Sequence, residues 1–320
     1  RRSGRGLSPA SPEDRYPPAA PAGVVRLTPM PPARAADHVL APYRDRSTLE
    51  RIADLESPVG VGPVGVDPGL TVVILNLDRP DLIVPLLQLL VAGQEAFEER
   101  DLGLQVIVGD TGSTDPEVLA CYEDLAGRIT VVPELRYHFS ANNNQCVSGR
   151  AMYDRVLFLN NDVLLDSVEP LLAMRDVLDD HLVGAVGLCL DFPDGRVQHL
   201  GVDVFRAGEL AGLSYHPWAG QQAVHHPGRT WPSVAATGAA LMMPTELFAA
   251  AGGFDERYRD ECQDVDICLA VRRLGYEVMV LDAGPIVHLE NATRTRGEEN
   301  WPDRRMFVRR WGSFIEAVWP

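Results

Sequence analysis

Apolar residues fall along this chain in short runs, each closed by polar, turn-forming residues. Leu70-Thr71-Val72-Val73-Ile74-Leu75 is rich in β-branched side chains and predicts a buried strand, closed by Asn76-Leu77-Asp78-Arg79-Pro80. Apolar positions at Leu82, Val84, Leu86, Leu87, Leu89, Leu90 and Phe97 predict a helix from Asp81 to about Glu99. Gln105-Val106-Ile107-Val108 is a second strand, ending on Gly109-Asp110-Thr111-Gly112-Ser113. A helix over 117–127 and a third strand, Ile129 to Val132, come next. Strand, polar turn, helix, strand is a βαβ rhythm, which predicts an α/β fold with a parallel sheet between helices.

The fourth run, Val156-Leu157-Phe158-Leu159, has the continuous apolar character of a strand buried on both faces, and it leads straight into Asn160-Asn161-Asp162. Ligands in open α/β sheets bind at the carboxyl ends of strands. Oxygen-rich side chains there suit a hard cation such as Mg²⁺ or Mn²⁺, which can in turn hold a diphosphate. Asn-Asn-Asp is equally a plain turn, since all three residues favour one. Beyond it the pattern predicts a helix over 168–179 and a strand from Val183 to Leu190. Short antiparallel strands and loops run to about Pro232, then a helix from Thr245 to Ala251. The stretch Glu261 to Leu269 opens a helix that ends near Leu274, a strand covers Glu277 to Leu281, and a short run ends at His288. Trp311 to Trp319 reads as an amphipathic C-terminal segment.

Residues 1–66 differ in kind. Pro, Ala, Gly and Arg dominate, which predicts an N-terminal arm or linker with at most one short helix over 45–55, ahead of a domain spanning 67–320. The formal net charge of -16 argues against nucleic acid as a partner, but one cation and a few local donors would still hold a diphosphate. Five dispersed cysteines with no C-x-x-C pair point to a reducing compartment. No apolar run reaches the length of a membrane span, and no signal peptide is expected at Arg1.

Asp110, Asp162, Asp264, Asp266 and His288 therefore sit at the ends of apolar elements. Each has a plain structural reading as a cap, turn or packed residue. Their conjunction resembles a known family. In order come Ile74-Leu75-Asn76 with Asp78-Arg79-Pro80-Asp81, Gly109 to Asp115, Phe139-Ser140 with Asn143-Asn144, and Phe158 to Asp162. Gln198-His199-Leu200-Gly201, Thr237-Gly238-Ala239, Gly252 to Glu256, Asp264-Val265-Asp266 and His288-Leu289-Glu290 complete the set. This pattern, over about residues 70–300, is similar to that of family-2 glycosyltransferases with a GT-A fold, especially those building bacterial O-antigen, rhamnan and related surface polysaccharides.

The resemblance implies a Rossmann-like, mostly parallel sheet flanked by helices, with a smaller antiparallel portion on the acceptor side. It implies donor binding by Asn76, Arg79, Asp110, Asn144 and Asn161. His199, Thr237 and Gly238 fall on the acceptor and sugar side. Asp162 and His288 would hold a divalent metal, Mn²⁺ or Mg²⁺, and Asp264 would be the catalytic base, with Asp266 its rival. The donor would be a UDP- or dTDP-sugar and the acceptor a saccharide or lipid-linked glycan. The place would be the cytoplasm, at the inner face of the membrane, with peripheral membrane association. Asn at two positions of the metal motif and Gln263 before Asp264 depart from the family pattern. They leave open a non-catalytic glycan- or nucleotide-binding domain. A nucleotidyltransferase would need a Gly-rich phosphate loop that residues 70–80 lack.

Overall fold

The computed structural model describes residues 67–206, 210–289 and 300–318. The expected N-terminal arm and its short helix lie outside them. The first strand, β1 (Gly69–Asn76), is buried on both faces and leads into α1 (Pro80–Ala92) and α2 (Gln94–Glu98). Gly93 divides what the pattern predicts as one helix. Next come β2 (Gly103–Asp110), α3 (Pro116–Asp124), β3 (Thr130–Val132) and α4 (Phe139–Val147). Then follow β4 (Arg155–Leu159), β5 (Val163–Leu164), α5 (Glu169–Val177) and β6 (Val183–Leu188). Four short strands succeed them: β7 (Leu190–Asp191), β8 (Val197–His199), β9 (Asp203–Val204) and β10 (Ser214–Tyr215). The remaining elements are β11 (Arg229–Ser233), β12 (Ala240–Pro244), α6 (Thr245–Ala250), α7 (Gln263–Arg273), β13 (Glu277–Asp282), β14 (Val287–His288) and α8 (Trp301–Val318).

Eight strands form one sheet in the order β11-β13-β6-β12-β4-β1-β2-β3. β1 pairs in parallel with both β2 and β4, β2 with β3, and β13 with β6. β12 is antiparallel to β4 and β6, and β11 is antiparallel to β13 at the edge. The long strand predicted from Val183 to Leu190 is two. After Cys189 the chain leaves the large sheet, and β7 joins a second, four-stranded sheet, β5-β14-β7-β8. That smaller sheet carries His288 beside Val163, the residue after Asp162.

Alternation along the strands divides the core in two. Leu70, Val72 and Ile74 of β1 and Leu157 and Leu159 of β4 pack with α1, α3 and α5. Val73, Val156 and Phe158 face the other way and pack with α4, α6, α7 and α8. Helices thus cover both faces, as continuous apolar strands require. The polar strand ends are left at one rim. α8 begins ten residues before the predicted amphipathic segment, and Trp311 is buried rather than displayed.

Candidate active site

The rim is built from loops that follow β1, β2 and β4 and precede β12. Asp110 ends β2 and is nearly buried. Its Oδ1 accepts the backbone N–H groups of Gly112 (2.9 Å) and Ser113 (2.8 Å), and its Oδ2 accepts the hydroxyls of Ser113 (2.5 Å) and Tyr122 (2.9 Å). Asn76, at the end of β1, donates to Tyr122 Oη (3.0 Å) and to the Asp78 carbonyl (3.0 Å). Its own Oδ1 accepts Asn161 Nδ2–H at 2.8 Å. Asn76, Asp110 and Asn161 therefore form one continuous hydrogen-bonded floor. Tyr122 joins it with no forewarning in the sequence, because a lone tyrosine inside an amphipathic helix carries no signal. Burial beside the Asp110 charge pushes its phenol pKa well up, so it stays a neutral donor.

Asp78 and Arg79 adopt left-handed backbone, with φ of 51° and 58°. Asp78 holds this turn by accepting from Thr114 N (2.7 Å) and Asp115 N (2.8 Å). Arg79 pairs with Asp81 at 2.8 Å, the main cause of its raised pKa, and it also lies within reach of the Asp162 charge.

Asp162 and His288 meet directly, Oδ1 to Nε2, at 3.1 Å. Gln198 explains which imidazole nitrogen faces the carboxylate. Its Nε2–H donates to the His288 carbonyl (3.1 Å), which turns Oε1 toward His288 Nδ1 (2.7 Å). Oε1 can only accept, so Nδ1 carries the proton and Nε2 presents to Asp162. Asn160 Nδ2 approaches the same Nε2 at 3.4 Å. A carboxylate oxygen and an imidazole nitrogen side by side, with the other ring nitrogen fixed from behind, become a donor set that suits a divalent cation when Nε2 carries no proton. No group of three or more His, Cys, Asp or Glu side chains converges this way among the described residues. Diphosphate oxygens and water would have to supply the other ligands.

Asp264, in the first turn of α7, reaches the loop that precedes β12. Its Oδ2 accepts Gly238 N–H at 2.9 Å and its Oδ1 accepts Val265 N–H at 2.9 Å. The connection to Asp162 is short: Asp264 holds Gly238, and the next residue's carbonyl, Ala239 O, accepts Asn160 N–H at 2.9 Å. Thr237 N–H donates to His199 Nε2 at 3.3 Å, so the proton of His199 sits on Nδ1, directed at His216 Nδ1 3.0 Å away. Burial, with His216 and His288 nearby, holds His199 well below the usual histidine range, hence neutral. His199, Thr237, Gly238 and Asp264 thus form a second connected group beside the Asp162–His288 pair.

Two predicted site residues are placed elsewhere. Asn144 spends its amide on a loop 110 residues away, accepting Phe254 N–H (2.9 Å) and donating to Phe254 O (2.8 Å) and Glu256 Oε1 (3.0 Å). It ties α4 to the Gly252–Glu256 turn and has no donor to spare for a nucleotide. Asp266 points away from the rim into the core and is 2% exposed. Its Oδ1 accepts from Tyr258 Oη–H (2.9 Å) and Trp311 Nε1–H (2.5 Å) and pairs with Arg310 (3.1 Å). Burial pushes its pKa up to about 6. No acceptor hydroxyl can reach it, so it braces α7 against α8.

No family model matches the chain. The uncharacterised protein y4gI of Sinorhizobium fredii (strain NBRC 101917 / NGR234) is 29% identical over 308 residues, covering 90% of this chain and 33% of its own length. The O-antigen biosynthesis protein RfbC of Myxococcus xanthus is 30% identical over 246 residues, covering 72% of this chain and 18% of its own. The chain thus spans a third or less of these curated relatives. Among solved structures, the mannosyltransferase PcManGT from Pyrobaculum calidifontis, in complex with GDP-Man and Mn²⁺, superposes with TM-score 0.50 at 20% identity over 88% of this chain and 75% of its own. GalNAc-T7 with UDP, GalNAc and Mn²⁺ gives 0.56 at 13% identity, over 76% and 47%. TarS 1-349 of S. aureus with UDP-GlcNAc gives 0.53 at 15%, over 77% and 66%. At these identities the likeness speaks for the fold.

Proposed function

We propose that this chain, which has the GT-A glycosyltransferase fold, is an inverting glycosyltransferase of family 2 that moves a sugar from a UDP- or dTDP-sugar to a saccharide or lipid-linked glycan. The observation that carries the reading is the junction at the rim. A carboxylate–imidazole pair and a half-buried carboxylate are joined through Gly238, Ala239 and Asn160, beside a polar floor at the ends of β1 and β2. The similarity to an O-antigen biosynthesis protein supports it.

In this reading the floor of Asn76, Asp110, Ser113, Tyr122 and Asn161 receives the nucleoside, with Arg79 at its margin. Asp162 and His288 hold a divalent cation, which when bound offsets negative charge on a diphosphate leaving group. Asp264 accepts the proton of the acceptor hydroxyl. The acceptor oxygen then bonds to the anomeric carbon while the bond to the diphosphate breaks, its electron pair leaving on the diphosphate oxygen. One displacement inverts the anomeric centre. A single base suffices, whereas a hydrolase of glycosidic bonds needs two carboxyl groups astride the bond. Gly238, Thr237 and His199 shape the sugar side. Residues 67–320 would form the transferase domain. We place its work in the cytoplasm, at the inner face of the membrane; no helix among the described residues is long and apolar enough to cross one.

Calorimetry with UDP, dTDP and GDP, with and without Mn²⁺, followed by a nucleotide-release assay, tests this. Asp162→Ala should lose the Mn²⁺-dependent part of nucleotide binding and all turnover. Asp264→Asn should keep nucleotide binding and lose turnover by about 10²–10⁴-fold, the usual worth of a general base. Full rate in Asp264→Asn refutes the base assignment. Nucleotide binding by the wild-type chain without release on any acceptor favours the alternative of a binding domain, which the uncharged Asn160 and Asn161 otherwise recommend.

A further inference from the structure

The loop that delivers Asp264 is gripped from outside the site by one buried carboxylate. Asp303, 3% exposed in the first turn of α8, accepts three successive backbone N–H groups on its Oδ2, from Arg259 (3.0 Å), Asp260 (2.9 Å) and Glu261 (3.1 Å). Three bonds to one oxygen fix the path of the donors. The same loop has two further holds on α8. Asn300, which accepts Asp303 N–H at 3.2 Å, donates to Asp260 Oδ2 at 3.1 Å, and Arg304 Nε–H meets Glu261 Oε2 at 2.6 Å.

The gripped loop runs directly into the start of α7. Cys262 takes left-handed backbone (φ 70°), and its carbonyl accepts Asp266 N–H at 2.8 Å to start that helix. A non-glycine residue in that conformation is costly, so the turn holds only where its surroundings impose it. Asp264 lies two residues on. On its far side Asp264 is tied to Gly238 N–H at 2.9 Å and packed close, since a Cβ placed on Gly238 would lie 3.3 Å from Asp264 Cβ and 3.1 Å from Phe139 Cζ. A shift in the start of α7 therefore reaches the Asp264 carboxylate.

We propose that Asp303 is a positioning residue for transfer: by clamping the N–H groups of residues 259–261 it sets the turn at Cys262 and so the direction of the Asp264 carboxylate. This rests on the reading of Asp264 as the base. Misplacing a reacting group by about 1 Å costs up to about 10²-fold, which bounds the effect.

The test is Asp303→Asn, with Asp264→Asn in parallel. The readouts are UDP affinity with Mn²⁺ by calorimetry and UDP release, with water as acceptor, from the UDP-hexose that the wild-type chain hydrolyses fastest. Expected is a fall in kcat of about tenfold or more per UDP-binding chain, with UDP affinity and donor KM within about twofold of wild type. A purely structural Asp303 predicts instead fewer UDP-binding chains, each with normal kcat, and that result overturns the proposal, as does an unchanged enzyme. If Asp303→Asn does not fold, the pair Asn300→Ala and Arg304→Gln frees the same loop from its surface side and is read in the same way. Full rate in Asp264→Asn brings down the base reading and this proposal together. An inactive Asp264→Asn beside a fully active Asp303→Asn brings down the proposal alone.

Discussion

Replacing Asp266 by Asn separates the two carboxylates of α7 by a measurement that needs no substrate. Burial lifts the folded pKa of Asp266 from 3.8 to about 6, opposed by Arg310, Trp311 and Tyr258. A carboxyl with a raised folded pKa binds its proton more tightly folded than unfolded. Its contribution is therefore most favourable below the unfolded value and is lost as pH rises through the folded one. About two pH units at about 1.4 kcal/mol each give a loss on the order of 3 kcal/mol between roughly pH 4 and pH 7. Asn does not titrate, and Arg310 keeps Asp255 as a partner. The stability difference, wild type minus Asp266→Asn, should thus fall by about that amount over this interval in urea denaturation. Subtracting the variant removes the opposite trend of the ordinary carboxylates. UDP release by Asp266→Asn should stay within about threefold of wild type per folded chain, as for a core residue that touches no reactant. A flat difference curve refutes the burial argument. A loss of turnover as deep as that of Asp264→Asn would make Asp266 the base after all.

Gln198→Leu should weaken Mn²⁺ binding about 10- to 100-fold, read from the free-ion signal in electron paramagnetic resonance without any donor present, because His288 loses the partner that fixes its ring. An unchanged affinity would show that the ion does not use His288. Gly238→Ala should cut kcat about tenfold or more while leaving UDP affinity unchanged, since the new methyl group can be seated only by moving Phe139 or Asp264; wild-type kcat would show that the gap closes elsewhere.

The strands that carry Asn76, Asp110 and Asp162 were readable because a strand covered on both faces must be apolar throughout, and the first polar residue then marks its end. β6 and β7 were not separable, since Cys189 is as apolar as its neighbours and only the partners change. β11 lies within the stretch read as short antiparallel strands and loops, but its bounds were not legible because Pro232 weakens it as a strand. Its pairing with β13 at the sheet edge tolerates a residue that donates no hydrogen bond. Asn144 and Asp266 show the limit for side chains. Helical spacing sets Asp266 over Leu269 and Ala270, and Asp264 over Ile267 and Cys268, and all four of these are buried. Period alone cannot tell which carboxylate faces the rim. What decides it is Trp311 and Arg310, 45 and 44 positions later, which no local pattern reveals.

The grip of α8 on the rest of the molecule has a consequence for how the chain comes into being. Asp255 and Asp266 leave the ribosome before Arg310, the cation they share, and the 259–261 loop emerges before Asp303. At about 5–20 residues per second, the 55 positions between Asp255 and Arg310 take roughly 3–11 s to synthesise. Once β13 and His288 have been made, late in that interval, the eight-stranded sheet and its polar floor can assemble, while the start of α7 still waits for the helix that braces it. On the proposed function, a chain stalled late in that window would bind a nucleotide without acting on it.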